Sequence, residues 1–322
     1  MDLTGIPQPD VNHSPLRALE LFCGIGGFAA AVAGLNVRLV GALDTSETAL
    51  AVYRLNFPLH PARQVDLERV SAWQLTAAQA DLWWLSPPCQ PYCERGIRRD
   101  LADPRARSLL RLMELLAAIP AGQLPRHLAL ENVAGFVGSQ AHDRLTGLLA
   151  DRGFHLQERL LCPTRLGVPS RRPRYYLAAS RTHLQMPDEP PTPPVRQLAD
   201  YLEPFPATLP DGLRLPEDIL TRFGSGLRLL DPGDPAAATT CFTSGYGRSI
   251  VNAGSYLRHG DGARYFAPTE LARLLHFPAD FRFPDGLPLR KRWHLIGNSL
   301  SVVAVREVLR AFPELTAISA AG

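Results

Sequence analysis

The sequence predicts an α/β fold: a mostly parallel sheet covered by helices on both faces, with a smaller, loop-rich second domain attached. Three observations lead there. Apolar runs of strand length alternate with amphipathic segments of helix length from Leu16 to about Ser180. A glycine turn, "FCGIGG", follows the first such run and opens a helix. From Met186 the composition shifts to "MPDEPPTPPVRQLADYLEPFPATLPDGLRLPED", whose prolines exclude helix interiors and central strands.

The elements follow in order. "LRALELFCGIGGFAAAVAGL" reads as strand, turn and helix; "VRLVGALD" is a strand ending at Asp44, and "SETALAVYRLNF" a helix with Ser46 and Glu47 as start signals. "ARQVDL" is strand-like and ends near Asp66, and "ADLWWLS" is a buried strand ending at Ser86. The apolar spacing of "RSLLRLMELLAAI" predicts a helix from Arg107 to Ile119, a strand follows from His127 to Val133, and a helix from near Asp143 to Arg152. Strands around "FHLQERLLC" and "RYYLAAS" complete the first domain, and "RWHLIGNSLSVVAVREVLRAF" adds a turn and an amphipathic helix able to pack back onto it. The expected organisation is a frayed N-terminus over 1–15, a main domain over 16–181 and 288–322, and a small domain over 182–287.

Composition narrows the function classes. A chain of 322 residues, 46% hydrophobic and 20% charged, is an ordinary folded globular protein. Its formal net charge of +3 excludes an overall basic field, so a nucleic-acid partner would have to meet a local patch. Lys291 is the only lysine; guanidinium forks suit phosphates, although a GC-rich genome gives the same bias. The cysteines, at 23, 89, 93, 162 and 241, include no Cys-x-x-Cys pair and no zinc spacing, which predicts reduced thiols, no metal and a cytoplasmic protein. No signal peptide or membrane-spanning run is visible.

The glycine turn, Phe22 to Gly27, suits a nucleotide-like cofactor because its backbone amides can approach a ligand closely; Phe22, Gly24, Ile25, Gly26 and Gly27 are its candidates. Asp44 stands where a carboxylate accepts from ribose hydroxyls, or where it caps the next helix. Asp66, with Leu67, stands where it can accept from an adenine amino group, or in a surface turn. The turn alone goes no further than a cofactor class.

"LWWLSPPCQPYCERGIRRD" is more specific, because a buried strand breaks off at two prolines and a cysteine. With the glycine turn, "SPPCQP", "ENV" at Glu131 to Val133, "RRPR" at Arg171 to Arg174 and "GNSLSV" at Gly297 to Val302, the chain resembles the cytosine-5 methyltransferases of DNA and RNA over nearly its whole length. That resemblance implies a Rossmann-like, S-adenosylmethionine-dependent catalytic domain interrupted by a target-recognition domain. It implies Cys89 as the thiolate that adds to carbon 6 of cytosine, making carbon 5 an enamine carbon able to take a methyl group. Glu131 would hold the cytosine edge in a protonated or proton-sharing state, and Arg172 and Arg174 would orient the base and favour the thiolate. Ser86 and Asn298 join the cofactor residues. One departure is Ser170, where the family usually has glutamine.

The prolines would stiffen the start of a loop whose arginines, Arg95, Arg98, Arg99, Arg105 and Arg107, form a basic flap for phosphates. The segments "CFTSGYG" and "ARYFAPTELARLLHFPADFRFP" resemble the branch that methylates an anticodon-loop cytosine of aspartate tRNA, cytosine 38. Within it Cys241, Thr243 and Tyr246 would lie on the substrate side. A base already in a loop costs less to extract than one in a duplex. The expectation is therefore a monomeric tRNA methyltransferase. Its alternatives are a DNA cytosine-5 methyltransferase and a non-catalytic nucleic-acid-binding module that kept the fold.

Overall fold

The first strand, β1 (Leu16–Leu21), is followed by β2 (Val37–Asp44), β3 (Ala62–Gln64), β4 (Leu82–Leu85) and β5 (His127–Val133), all parallel. After them come β6 (His155–Leu161) and β7 (Arg174–Ser180), of which β7 alone runs the other way, antiparallel to both β5 and β6. The resulting seven-stranded sheet has the order β3-β2-β1-β4-β5-β7-β6. The structure, a computed structural model, describes residues 14–93, 98–184, 193–204 and 208–316.

Alternation along the strands sends side chains to two apolar layers. Ala18, Trp84, Ala129, Tyr176 and Ala178 face one, Leu19, Leu21, Trp83, Leu128, Leu130 and Leu177 the other. The helices of this part of the chain are α1 (Gly27–Val32), α2 (Glu47–Asn56), α3 (Ala72–Thr76), α4 (Arg107–Ala118) and α5 (Gln140–Asp151), and they cover the sheet. Phe28 of α1 stacks on Trp84 at 5.0 Å between centroids.

Local chemistry sets the helix ends. Ser46 caps α2 by accepting from the Ala49 amide at 3.2 Å. Helix α5 begins earlier than the sequence pattern suggests. Ser139 accepts from the His142 amide at 3.1 Å, and Asp100 satisfies the Gln140 and Ala141 amides at 2.6 and 3.2 Å. A carboxylate forty residues away cannot be seen in a local window.

The later chain builds α6 (Glu217–Phe223), a short sheet of β8 (Leu229–Leu230), β9 (Tyr256–His259) and β10 (Gly262–Arg264), and α7 (Pro268–Leu274). Buried Glu270 organises it, pairing with Arg264 at 2.8 Å and accepting from the amides of Ala267 at 2.8 Å and Glu203 at 3.0 Å. Its apolar residues merge with one layer of the large sheet. Helices α8 (Leu289–Gly297) and α9 (Val302–Leu309) then return to the first part of the chain. Arg306 of α9 donates to the carbonyls of Ala31 at 2.9 Å and Ala33 at 3.1 Å, capping the end of α1. Among the described residues no helix is long and apolar enough to cross a membrane.

Candidate active site

The sheet changes direction of construction between β1 and β4, which lie side by side while their neighbours run outward to β3 and β6. Ligands of open α/β sheets sit outside the strand carboxyl ends at such a switch point. The glycine turn leaves β1 there, and the Pro87–Cys93 segment leaves β4.

On the β1 side, Phe22 and Gly24 adopt positive φ of 59° and 51°, and a Cβ on Gly24 would meet nothing within 4 Å. Gly26 has φ of 90°, and a Cβ there would lie 2.4 Å from the Phe57 ring, so only glycine fits. Asp44 closes this turn: its Oδ2 accepts from the Gly24 amide and its Oδ1 from the Ser46 amide, both at 2.8 Å. Burial raises its pKa, against the pull of these amides. The helix cap is Ser46 itself, which leaves Asp44 as the organiser of the turn. The structure thus leaves an open space over Gly24 with a half-buried carboxylate beside it. Each carboxylate oxygen has acceptor capacity beyond its one amide, so the turn fits a ligand rich in hydroxyl and amino donors.

The other expected cofactor residues divide. Ser86 is half-buried, with its Oγ accepting from Trp84 Nε1 at 2.9 Å. Ile25 and Leu67 are buried, Ile25 in one apolar layer and Leu67 in the other. Asp66 is exposed, its Oδ1 accepting from the Glu68 amide at 3.0 Å as in an Asx turn. Asn298 is exposed on the rim of the neighbouring cleft and lies 3.2 Å from His294 Nε2.

That cleft, about 490 Å³, is lined by Cys89, Gln90, Cys93, Arg174, Cys241, Thr243, Gly297 and Asn298. Cys89 caps the short 3₁₀ turn Gln90–Tyr92 and is half-buried. Asn132 fixes the loop before it by donating to the Pro87 carbonyl at 3.2 Å, while its Oδ1 accepts from the Val133 amide at 2.8 Å. Cys93 Sγ lies 3.3 Å from the Cys89 carbonyl oxygen. The two thiols titrate as a pair: their hydrogen bond pushes Cys89 up and brings Cys93 down to about 7, while Arg174 favours the thiolate on both.

Arg174 lines the cleft, and Glu131 of the adjacent strand pairs with it, Arg174 Nε standing 3.2 Å from Glu131 Oε1. Burial raises the Glu131 carboxyl, with Arg174 and Arg172 pulling the other way. Burial opposes charge on Arg174, but Cys241, Glu131 and Cys89 around it raise its pKa overall. Cys241 Sγ sits 3.5 Å from Arg172 Nη1 and 3.6 Å from Arg174 Nη2; burial opposes its ionisation, and the two guanidiniums lower its pKa nonetheless.

Three sequence expectations change here. Arg172 is buried, and its guanidinium donates to the carbonyls of Phe242 at 3.0 Å, Gly297 at 3.1 Å and Ser299. It is thus a strut joining three segments of the cleft wall, with burial lowering its pKa. Tyr246 is 1% exposed: its hydroxyl donates to the Ser255 carbonyl at 2.8 Å and accepts from the Phe266 amide at 3.0 Å. Packed edge-on against Phe242 and Trp293, it is core and cannot stack on a base. Arg105 is tied to Asp103 at 2.7 Å, so the flap's charge there is already paired. Arg98 and Arg99 are exposed, and Arg95 lies outside the described residues.

Ser170 supplies its own local support. Its Oγ accepts from Thr239 Oγ1 at 3.0 Å, and the backbones bridge as the Arg171 amide donates to the Thr239 carbonyl at 2.9 Å. This joint brings Cys241 beside Arg172. Sequence reasoning missed Cys93, Asn132 and Arg228, the last exposed on the cleft rim. Only Cys93 carried a signal, its spacing from Cys89. Among the described residues no group of three or more His, Cys, Asp or Glu is arranged to hold a metal ion.

Known proteins place this arrangement. The chain is 28% identical over 391 residues to the tRNA (cytosine(38)-C(5))-methyltransferase of Bos taurus, covering 92% of this chain and 98% of that protein. It is 26% identical to a DNA (cytosine-5)-methyltransferase of Dictyostelium discoideum, covering 92% and 93%. Among solved structures, the S. pombe Dnmt2 methyltransferase superposes with a TM-score of 0.79 at 27% identity, covering 92% of this chain and 98% of that one. Residues 16–207, which carry the glycine turn, Cys89, Glu131 and both arginines, match a single family, and the chain belongs to it: the C-5 cytosine-specific DNA methylases.

Proposed function

We propose that this enzyme transfers a methyl group from S-adenosylmethionine to carbon 5 of a cytosine in tRNA, cytosine 38 of aspartate tRNA, through a transient bond between Cys89 and carbon 6. The observation that carries the reading is the cleft itself. It sets a thiol and a guanidinium on one cavity, with a carboxyl of raised pKa paired to that guanidinium, near the open glycine turn at the sheet's switch point. The tRNA substrate is supported by the curated relative that shares nearly its full length with this chain.

Phe22, Gly24 and Asp44 would hold the methyl donor, with Ile25, Gly26, Gly27 and Leu67 shaping the turn and Ser86 and Asn298 at its border; Asp66 stands outside this set in an exposed turn. When bound, the sulfonium supplies an electrophilic methyl group. Cys89 attacks carbon 6 as a thiolate, Glu131 in its protonated form bonds the ring edge at N3, and Arg174 holds Glu131 and offsets the charge that accumulates nearby. Carbon 5 then takes the methyl group. Loss of the carbon 5 proton returns the electron pair to the ring and expels the Cys89 sulfur. The catalytic part spans 16–181 and 288–322, and 182–287 forms the target-recognition part, with Thr243, Cys241 and Arg98 and Arg99 on the nucleic-acid side.

Incubation with labelled S-adenosylmethionine and either tRNA or plasmid DNA tests the substrate. Label should enter tRNA and map to an anticodon-loop cytosine. Predominant labelling of DNA would overturn the substrate, and a Cys89→Ser protein methylating at the wild-type rate would overturn the mechanism.

A further inference from the structure

The cleft, about 490 Å³, is larger than a pyrimidine ring needs. Pockets of about 300–1,000 Å³ take a whole drug-sized ligand, so a cytosine leaves room for its sugar and a phosphate. Among the described residues that line the cleft, the charged ones are Arg174 and Arg228, and none is Asp or Glu. Arg174 is engaged, with Glu131 at 3.2 Å and Cys241 at 3.6 Å. Arg228 is exposed, and among the described residues its guanidinium makes no hydrogen bond or ion pair. An unpaired cation is ordinary on an outer surface; this one stands on the wall of a cavity whose lining offers it no carboxylate.

The backbone of Arg228 is fixed although its charge is not engaged. The residue immediately precedes β8, and its carbonyl accepts from the Tyr256 amide at 2.9 Å. Tyr256, buried on β9, also donates its hydroxyl to the Ile250 carbonyl at 2.6 Å. One core tyrosine thus anchors two residues of the cleft wall, Arg228 and Ile250. The acids that follow in the chain are occupied elsewhere, Asp231 accepting from the Gly233 amide at 2.9 Å and Asp234 from the Ala236 amide at 2.8 Å.

We infer that Arg228 is a phosphate-binding residue of the cleft, its guanidinium gripping a phosphate that adjoins the target cytosine. This inference rests on the reading of the cleft as the cytosine site. A guanidinium fork meets two phosphate oxygens at once, which suits it to an anion of that shape. Contacts to phosphate carry no sequence information and instead fix the register of the strand, here so that one base enters the cavity that Cys89 lines. Such a contact is the same before and during the chemical step, so it acts on binding and not on the rate of methyl transfer.

Fluorescence anisotropy tests this with a labelled anticodon stem-loop RNA of aspartate tRNA, and with the same sequence as DNA, across KCl concentrations. The proteins are wild type, Arg228→Gln, Arg228→Lys and, as a control, Arg38→Gln, which changes an exposed arginine near the amino end of β2. Arg228→Gln should weaken binding about tenfold and lower the salt slope by about 0.7, the share of one phosphate contact on a single strand. Arg228→Lys should keep the slope and recover part of the affinity, and Arg38→Gln should match wild type. A neutral methylphosphonate at each linkage flanking the cytosine, measured against its 2′-O-methyl parent, locates the contact: at one linkage it should weaken wild type about tenfold and leave Arg228→Gln unchanged. In steady-state methylation Arg228→Gln should raise KM with kcat unchanged, a split that damage to the fold would not give. An unchanged salt slope in Arg228→Gln, or a methylphosphonate penalty undiminished in it, would overturn the inference. Preference for the DNA form would overturn the tRNA reading alone, since the same slope change on DNA still supports Arg228.

Discussion

Arg174 reaches Glu131 diagonally across the antiparallel β5–β7 pairing, Nε to Oε1 at 3.2 Å, from the register position opposite Val133. Arg172, two residues earlier, instead holds the backbone carbonyls of Phe242, Gly297 and Ser299. Two arginines of one short motif thus do different work, one paired with the Glu131 carboxyl and one tying the cleft wall.

Substitution should separate them. Lysine at 174 keeps the charge but loses the fork that reaches both Glu131 and Cys241, so kcat should fall on the order of a hundredfold with the melting temperature little changed. Lysine at 172 strands buried carbonyls, which costs about 2–4 kcal/mol. Thermal denaturation and single-turnover rates on both variants read this; equal losses of stability would refute the division.

The Glu131 carboxyl gives a pH dependence with a definite sign. Burial raises its pKa, and in the proposed mechanism the protonated form bonds the ring edge, so activity should fall as pH rises through that pKa. Glu131→Gln removes the titration: the alkaline limb should disappear, and the rate should drop by about 10² or more because the amide cannot deliver a proton. A Glu131→Gln enzyme that keeps the wild-type alkaline limb would assign that limb elsewhere.

Much of this was legible in the chain because the relevant chemistry is local. The strand periods gave β1, β2, β4 and β5, and Cys89 between its prolines and the glutamate of "ENV" stand out as residue types placed for a purpose. What was hidden depends on long-range joints. Tyr246 reads as a base-stacking aromatic until Trp293, Phe266 and Ser255, up to forty-seven residues away, enclose it. Asp66 reads as an acid at a strand end, yet β3 stops at Gln64 and the side chain turns to the surface. Arg172 reads as half of a catalytic pair, and only the folded wall reveals which carbonyls it serves.

Gly297 should tolerate no side chain. A Cβ there would lie 2.4 Å from the Thr243 carbonyl oxygen, a backbone atom that cannot rotate away. Gly297→Ala therefore pushes the Thr243 segment into the cleft and disturbs the carbonyl that Arg172 holds, costing about 1–3 kcal/mol and most of the activity. Gly34→Ala is a useful contrast: its Cβ meets nothing within 4 Å, so any loss comes only from its φ of 81°. A Gly297→Ala enzyme as active and stable as wild type would show that the wall yields freely.

Beneath the glycine turn, Glu20 is buried, and burial pushes its pKa up from 4.5 to about 8, although Tyr53 donates to its Oε2 at 3.1 Å. The folded state therefore binds a proton more tightly than the unfolded chain, which releases it near 4.5. Between those values the fold holds more protons, so stability falls as pH rises from about 4.5 to 8, and above 8 the full penalty remains. Glu20→Gln keeps an acceptor for Tyr53 and removes the titration. Relative to wild type it should gain stability progressively across that window, reaching a few kcal/mol at about pH 8. Denaturant unfolding of both proteins at several pH values measures the difference, which isolates Glu20 from Asp44 and the buried histidines. If the two stability curves run parallel, the carboxyl is ionised in the fold at neutral pH, and the floor of the glycine turn carries a charge that the neutral reading denies.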